Sequence, residues 1–149
     1  MTSVLFICKG NINRSAIAEY ILKQMLNNDP AFYIRSSGTT AAFGSWGSKA
    51  TKTMRNLAVA KGVPDLENHR AQLTTQELIE SSDHVFYMDK KNQRKLKKMF
   101  GDAFVDEHCK MLGGEEEIPD PMGGTAEDFE KAYAMIHQAC EKFAKTLKR

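Results

Sequence analysis

A chain of 149 residues, 42% hydrophobic and 27% charged, can bury about two thirds of its unfolded surface in one core, and such a composition excludes disordered, collagen-like and disulfide-scaffold classes. Its 21 Lys and Arg against 19 Asp and Glu leave a formal charge of only +2, so the strongly basic footprint of a nucleic-acid binder is missing. The three cysteines, Cys8, Cys109 and Cys140, form no C-x-x-C pair and suggest neither a zinc ribbon nor a complete disulfide framework, but reduced thiols in a cytosol.

The longest apolar run, Val4 to Cys8, falls far short of the roughly 20 residues that span a bilayer. One cytoplasmic domain over residues 1–149, without membrane insertion, is therefore expected. That same run, continuous and partly β-branched, reads as a strand buried on both faces. A Gly/Asn-rich turn follows, and from about Ser15 to Asn27 the residues Ile17, Ile21, Leu22 and Met25 recur at helical spacing until Asp29-Pro30 stops them.

Phe32 to Ser36 is a second short strand, ended by Ser37-Gly38, and a poorly patterned loop with Phe43 and Trp46 comes next. Ala50, Met54, Leu57 and Ala58 form a helical stripe with Gly62 at the C-terminal cap, and Thr74-Thr75-Gln76-Glu77 has capping-box spacing for a short helix. Val85 to Met88 reads as a third strand, followed by a basic helix from about Asn92 to Phe100 that Gly101 ends. A last helix opens at Thr125 and carries Phe129, Tyr133, Ile136, Cys140, Phe143 and Leu147 along one face.

Strands alternating with helices imply parallel pairing, hence an α/β fold with a small sheet of about four strands and helices on both faces. Ligands in such folds bind beyond the carboxyl ends of the strands. The turn Lys9 to Arg14, between the first strand and the first helix, is therefore expected at that binding edge.

The stretch Cys8-Lys9-Gly10-Asn11-Ile12-Asn13-Arg14-Ser15 places a thiol, a glycine-containing loop, a guanidinium and a hydroxyl between strand and helix. A loop ending in a helix N-terminus turns several backbone N–H groups inward and adds the positive end of the helix dipole, which suits a phosphate dianion. Arg14 adds a planar bidentate grip on two equatorial oxygens. The same positive surroundings favour the thiolate of Cys8, the nucleophilic form, to which Ser15 can donate a hydrogen bond.

Cys-x5-Arg-Ser with Gly-Asn-Ile inside resembles the phosphate-binding loop of the low-molecular-weight protein tyrosine phosphatases. Further matches follow in order: Ser36-Ser37-Gly38-Thr39 resembles the family's Ser-Ala-Gly-Thr turn, His69-Arg70-Ala71-Gln72-Leu73 its His-x-Ala-Arg-Gln segment, and Asp83 through Met88-Asp89 to Asn92 its Asp-x-x-x-x-Met-Asp-x-x-Asn block. Asp120-Pro121 resembles the general-acid loop.

The resemblance implies a two-step, cofactor-independent and metal-independent hydrolysis of phosphotyrosine on proteins. Cys8 would become a cysteinyl-phosphate that water then hydrolyses, Arg14 would bind the phosphate oxygens, and Asp120 would be general acid and then base. Lys9, Gly10, Asn11, Ile12, Asn13 and Ser15 would line or support the loop, with Ser37 and His69 holding its shape by hydrogen bonds. Asp89 either joins that network or caps the helix after it. Inorganic phosphate and other oxyanions are expected ligands, and a tyrosine-phosphorylated protein the expected partner.

Some positions depart from the family pattern. Asn13 stands where many members carry a second loop cysteine, which removes a vicinal disulfide with Cys8, and Cys140 falls on the core stripe of the last helix. Met122 follows Asp120-Pro121 where tyrosine-specific members commonly place aromatics, leaving Phe43 or Trp46 as candidates for the opposite wall. Ile12 points toward aryl phosphates, since protein-arginine phosphatases of the superfamily tend to have threonine there. The basic run Asp89 to Lys98 has two readings, attraction of an acidic phosphopeptide, polymer or membrane surface and, foremost, the solvated face of a helix with Leu96, Met99 and Phe100 inward. Two other readings of the chain are a catalytically weak phosphoprotein-binding module and an arsenate reductase-like thiol enzyme.

Overall fold

The computed structural model describes residues 1–41 and 46–147. Four parallel strands, β1 (Thr2–Cys8), β2 (Phe32–Gly38), β3 (His84–Tyr87) and β4 (Cys109–Met111), form one sheet in the order β2-β1-β3-β4. The chain leaves β1 toward β2 on one side and returns to β3 on the other, so the strand order reverses at the carboxyl end of β1. That reversal opens the crevice in which open α/β sheets take their ligands, and Cys8 is the residue that reaches it.

Side chains alternate across β1 because successive residues of a strand face opposite ways. Val4, Phe6 and Cys8 join a core with the helices α1 (Arg14–Met25), α2 (Lys52–Ala60) and α6 (Ala126–Ala144). Leu5 and Ile7 join a second core under α3 (Gln76–Glu80), α4 (Lys90–Phe100) and α5 (Asp102–His108). Each fully buried Leu, Ile or Phe of these layers stabilises by about 1.5–3 kcal/mol. The thiol therefore emerges on the α1 side of the sheet, and Cys140 of α6 is fully buried there, as its place on the apolar stripe implies.

Local structure departs from the sequence expectation in four places. β2 continues through Ser37 and Gly38, because Gly38 pairs with Cys8 and its N–H donates to the Gln72 carbonyl. α3 starts one residue later than the Thr74 box suggested: the hydroxyl of Thr74 is bonded to Ser37, and Thr75 caps by accepting from the Leu78 N–H. Two elements, α5 and the three-residue β4, were not foreseen. Gly101, with φ of 93°, ends α4 and begins α5 at once, and only pairing with β3 makes β4 a strand. A single 3-10 turn, Pro64–Asn68, leads to His69. α6 begins at the expected place, with Thr125 and Asp128 in a reciprocal capping box.

Candidate active site

The loop after β1 is shaped by bonds that hold its carbonyls outward. The Lys9 carbonyl accepts from the N–H groups of Thr39 and Thr40, both at 2.9 Å, and the Ile12 carbonyl accepts from Thr51 at 3.0 Å. Asn11, not Gly10, takes the left-handed conformation, at φ of 56°, and asparagine tolerates that region better than most residues. The β2 strand passes so close that a Cβ on Gly38 would lie 2.7 Å from the Lys9 carbonyl oxygen, which only glycine avoids.

Side chains complete the brace. Asn11 is wholly buried; its Nδ2 donates to Ser15 Oγ at 2.8 Å, its Oδ1 accepts from the Gln72 N–H at 3.0 Å, and its carbonyl accepts from His69 Nε2 at 2.6 Å. Ser15 Oγ lies 2.9 Å from Cys8 Sγ, a contact in which either atom can donate, and its hydroxyl donates to the Ser37 carbonyl at 3.3 Å. The Asn11 N–H points at Cys8 Sγ from 3.3 Å.

Asn13 precedes α1 but does not cap it. Its Oδ1 accepts from the Thr51 hydroxyl at 2.5 Å, and its Nδ2 donates to the Met122 sulfur at 3.6 Å. Ile17 is the first residue whose N–H bonds back, to the Asn13 carbonyl, and the earlier N–H groups are those that a helix N-terminus offers to an anion.

Arg14 is 97% buried by side-chain exposure, and its Nη1 donates to Asp89 Oδ2 at 2.7 Å and to the Ile118 carbonyl at 2.8 Å. Asp89 performs both of the roles weighed for it: Oδ2 takes the arginine while Oδ1 caps α4 through the Asn92 N–H at 2.8 Å. Asp120 stands apart from this tightness. Its side chain is 40% exposed, its Oδ2 lies 3.8 Å from Arg14 Nη2, and its Oδ1 accepts from the Met122 N–H at 3.0 Å in a local turn.

These parts enclose a cleft of about 330 Å³ lined by Cys8, Lys9, Gly10, Ile12, Asn13, Arg14, Thr40, Ala41, Asp120 and Met122. Of the expected residues, Ser37 and His69 support the loop from outside the cleft. Ser37 does so through its carbonyl, its hydroxyl being spent on Thr74. Met122, 47% exposed, supplies an apolar wall where aromatics were sought, beside Ile12. Trp46 is half-buried and does not line the cleft described here; Phe43 lies outside the described residues.

Sequence reasoning missed Glu19, Thr51 and the hydroxyl of Thr74. Glu19 is buried on α1, accepting from Ser36 Oγ at 2.6 Å and Lys23 Nζ at 2.5 Å, with Oε1 4.0 Å from His69 Nδ1. Burial pushes the His69 imidazole below its ordinary pKa, against the Asn11 carbonyl and the Glu19 carboxylate, which favour the charged ring. A signal for Glu19 existed in its place four residues after Ser15 on the buried face of α1. Thr51 and Thr74 act across the fold and leave no spacing signal in the chain.

A thiol at the end of a parallel strand, cradled by a loop that feeds a helix N-terminus and an arginine, is the arrangement of a cysteine-dependent phosphatase. The family model for low molecular weight phosphotyrosine protein phosphatase matches residues 3–149. The low molecular weight protein-tyrosine-phosphatase Etp of Escherichia coli K12 is 30% identical over 99% of this chain and 95% of its own length. Among solved structures, Vibrio vulnificus Wzb in complex with benzylphosphonate superposes with a TM-score of 0.86 at 29% identity, covering 98% of this chain and 99% of that one. An arginine phosphatase YwlE variant whose active-site serine is phosphorylated also reaches 0.86, at 25% identity, over 99% and 97% of the two chains. The chain belongs to the low-molecular-weight phosphotyrosine protein phosphatase family and is a phosphoric monoester hydrolase.

Proposed function

We propose that the protein hydrolyses phosphotyrosine on protein substrates, with Cys8 as nucleophile, Arg14 as phosphate-binding cation and Asp120 as general acid and base. The observation that carries this reading is the convergence of a buried thiol, a buried arginine and a part-exposed carboxyl on one cleft. In the first step the Cys8 thiolate attacks phosphorus, a sulfur–phosphorus bond forms, and the electron pair of the breaking P–O bond goes to the phenolic oxygen, which Asp120 protonates. In the second, water attacks the cysteinyl-phosphate, Asp120 takes its proton, and the thiolate leaves from inorganic phosphate.

The loop N–H groups and Arg14 hold the three equatorial oxygens throughout, an arrangement whose value lies in having no reorganisation left to do. Ser15 is poised to turn its proton from the Ser37 carbonyl to the departing thiolate. Active-site phosphorylation in the YwlE variant supports a phosphoryl-enzyme step at this position in a relative, and the benzylphosphonate bound by Wzb supports an aryl-type oxyanion ligand. No helix among the described residues is long and apolar enough to cross a membrane; we place the protein in the cytoplasm on its three free, buried cysteines.

Aryl specificity rests on Ile12 and Met122 as the apolar surfaces of the cleft. The test is hydrolysis of phosphotyrosine, phosphoserine and phosphoarginine peptides with EDTA present, by the wild type, Cys8→Ser and Asp120→Ala. Turnover of phosphotyrosine that is lost in the first variant and strongly reduced in the second is the expected result. Preferential turnover of phosphoarginine would overturn the substrate class, and thiol consumption driven by arsenate would favour the reductase reading instead.

A further inference from the structure

Beside the catalytic cleft lies a second cavity of about 580 Å³ that shares Lys9, Arg14, Thr40 and Asp120 with it and extends under α4. From α4 it receives Lys91 and Lys95, which stand one turn apart on the same helix face. Lys9, Lys91 and Lys95 are all exposed, and none forms a salt bridge among the described residues. Two further acids line the cavity: Asp89, which is paired with Arg14, and Glu117, which accepts from the Lys90 N–H at 2.9 Å, so three lysines face one carboxylate that no cation pairs among the described residues. Asp120 lines both cavities, with Oδ2 3.8 Å from Arg14 Nη2.

The position of these lysines is set by the active site itself. Asp89, the cap of α4, is bonded to Arg14 at 2.7 Å, so the first turns of α4 are held at a constant distance from the phosphate loop. Elsewhere on the helix the basic residues behave differently. Lys97 pairs with Asp106 at 3.2 Å, and Arg94 and Lys98 do not line the cavity. The basic run is thus divided, with Lys91 and Lys95 lining the cavity and its other cations outside.

We infer that Lys9, Lys91 and Lys95 form a specificity subsite for a second anionic group on the phosphorylated substrate, a carboxylate or further phosphate close to the phosphotyrosine. This rests on the phosphatase reading above and adds a preference for acidic flanking sequence. Charges so placed raise the encounter rate and the bound population of an acidic peptide, and are weakened by salt.

The experiment compares kcat/KM for four substrates at low and high ionic strength. They are p-nitrophenyl phosphate, which has nothing to place in the subsite, and phosphotyrosine peptides flanked by Ala, by Asp, or by phosphoserine. The proteins are the wild type, Lys91→Glu/Lys95→Glu, and Lys98→Glu as a charge control on the same helix. The wild type should prefer the acidic peptides over the Ala peptide by about fivefold or more at low salt. The double variant should lose or invert that preference, read as the ratio of kcat/KM for the acidic and Ala peptides with p-nitrophenyl phosphate as the reference for the reaction itself, and Lys98→Glu should keep it. The higher of the Asp and phosphoserine arms identifies the group the subsite takes. Equal rates for acidic and Ala peptides, or a preference that survives in the double variant, would overturn the inference with the phosphatase reading intact; failure of the wild type on every substrate would overturn that reading instead.

Discussion

The phosphate loop and the acid loop face each other across one cleft, yet they are built in opposite ways. Asn11, Ile12, Asn13, Arg14 and Ser15 are all buried, and their polar groups are tied to β2, α2, α4 and the segment around His69. Asp120 and Met122 are exposed, and the bonds holding them are a local turn, a 3.8 Å approach to Arg14 and a weak contact from Asn13 to sulfur. The contrast follows from their tasks. Donors that stabilise charge must be in place beforehand, whereas a group that exchanges a proton with the leaving oxygen and then with water needs access to both.

If this division is right, the loops should fail differently when altered. The largest effect is expected from Cys8→Ser, which should bring turnover to background without lowering the melting temperature, checked by phosphotyrosine hydrolysis beside thermal unfolding. Arg14→Lys comes next, at about 10²–10³-fold in kcat, because an ammonium has three donors and cannot keep Asp89 and the Ile118 carbonyl while gripping two phosphate oxygens in one plane. Asp120→Asn should cost about 10²-fold or more on peptides. It should cost far less on p-nitrophenyl phosphate, whose leaving group needs less protonation, and should leave the melting temperature unchanged.

Asn11→Ala sharpens the comparison from the other side. It deletes the bonds to Ser15 and Gln72 and puts alanine at a positive φ, so a stability loss of about 1–3 kcal/mol is expected together with slower turnover, read by denaturant titration and kinetics. The smallest effect is expected for Met122→Leu, which keeps the apolar wall and removes only a weak sulfur acceptor. Its kcat/KM should stay within about twofold of wild type, and a large drop would mean that the Asn13 contact holds the acid loop in place.

Much of this was legible in the chain. The run Val4 to Cys8 could only be a buried strand, and a loop with Arg14 just after it had to meet the crevice at the strand ends. Glu19 was readable in principle, by its helical spacing from Ser15, but a charged residue on a helix is assigned outward unless its partners are known, and Ser36 and His69 come from other elements. The cap of α3 slipped by a residue for the same kind of reason, since Thr74 had a stronger claim on it from Ser37.

The sequence by itself determined three of the four strands, every α-helix but α5, and the place of the Cys8 to Arg14 loop after the first strand, because hydrophobic period and the Cys-x5-Arg spacing act within a dozen residues. Only the tertiary structure decided that Thr51 straps the loop through Asn13, that Asp89 serves a helix cap and Arg14 at once, and that Lys91 and Lys95 border the catalytic cleft while Lys97 pairs elsewhere. Those assignments depend on distances between elements tens of residues apart in the chain, and packing of the two cores, which no local pattern encodes, sets those distances.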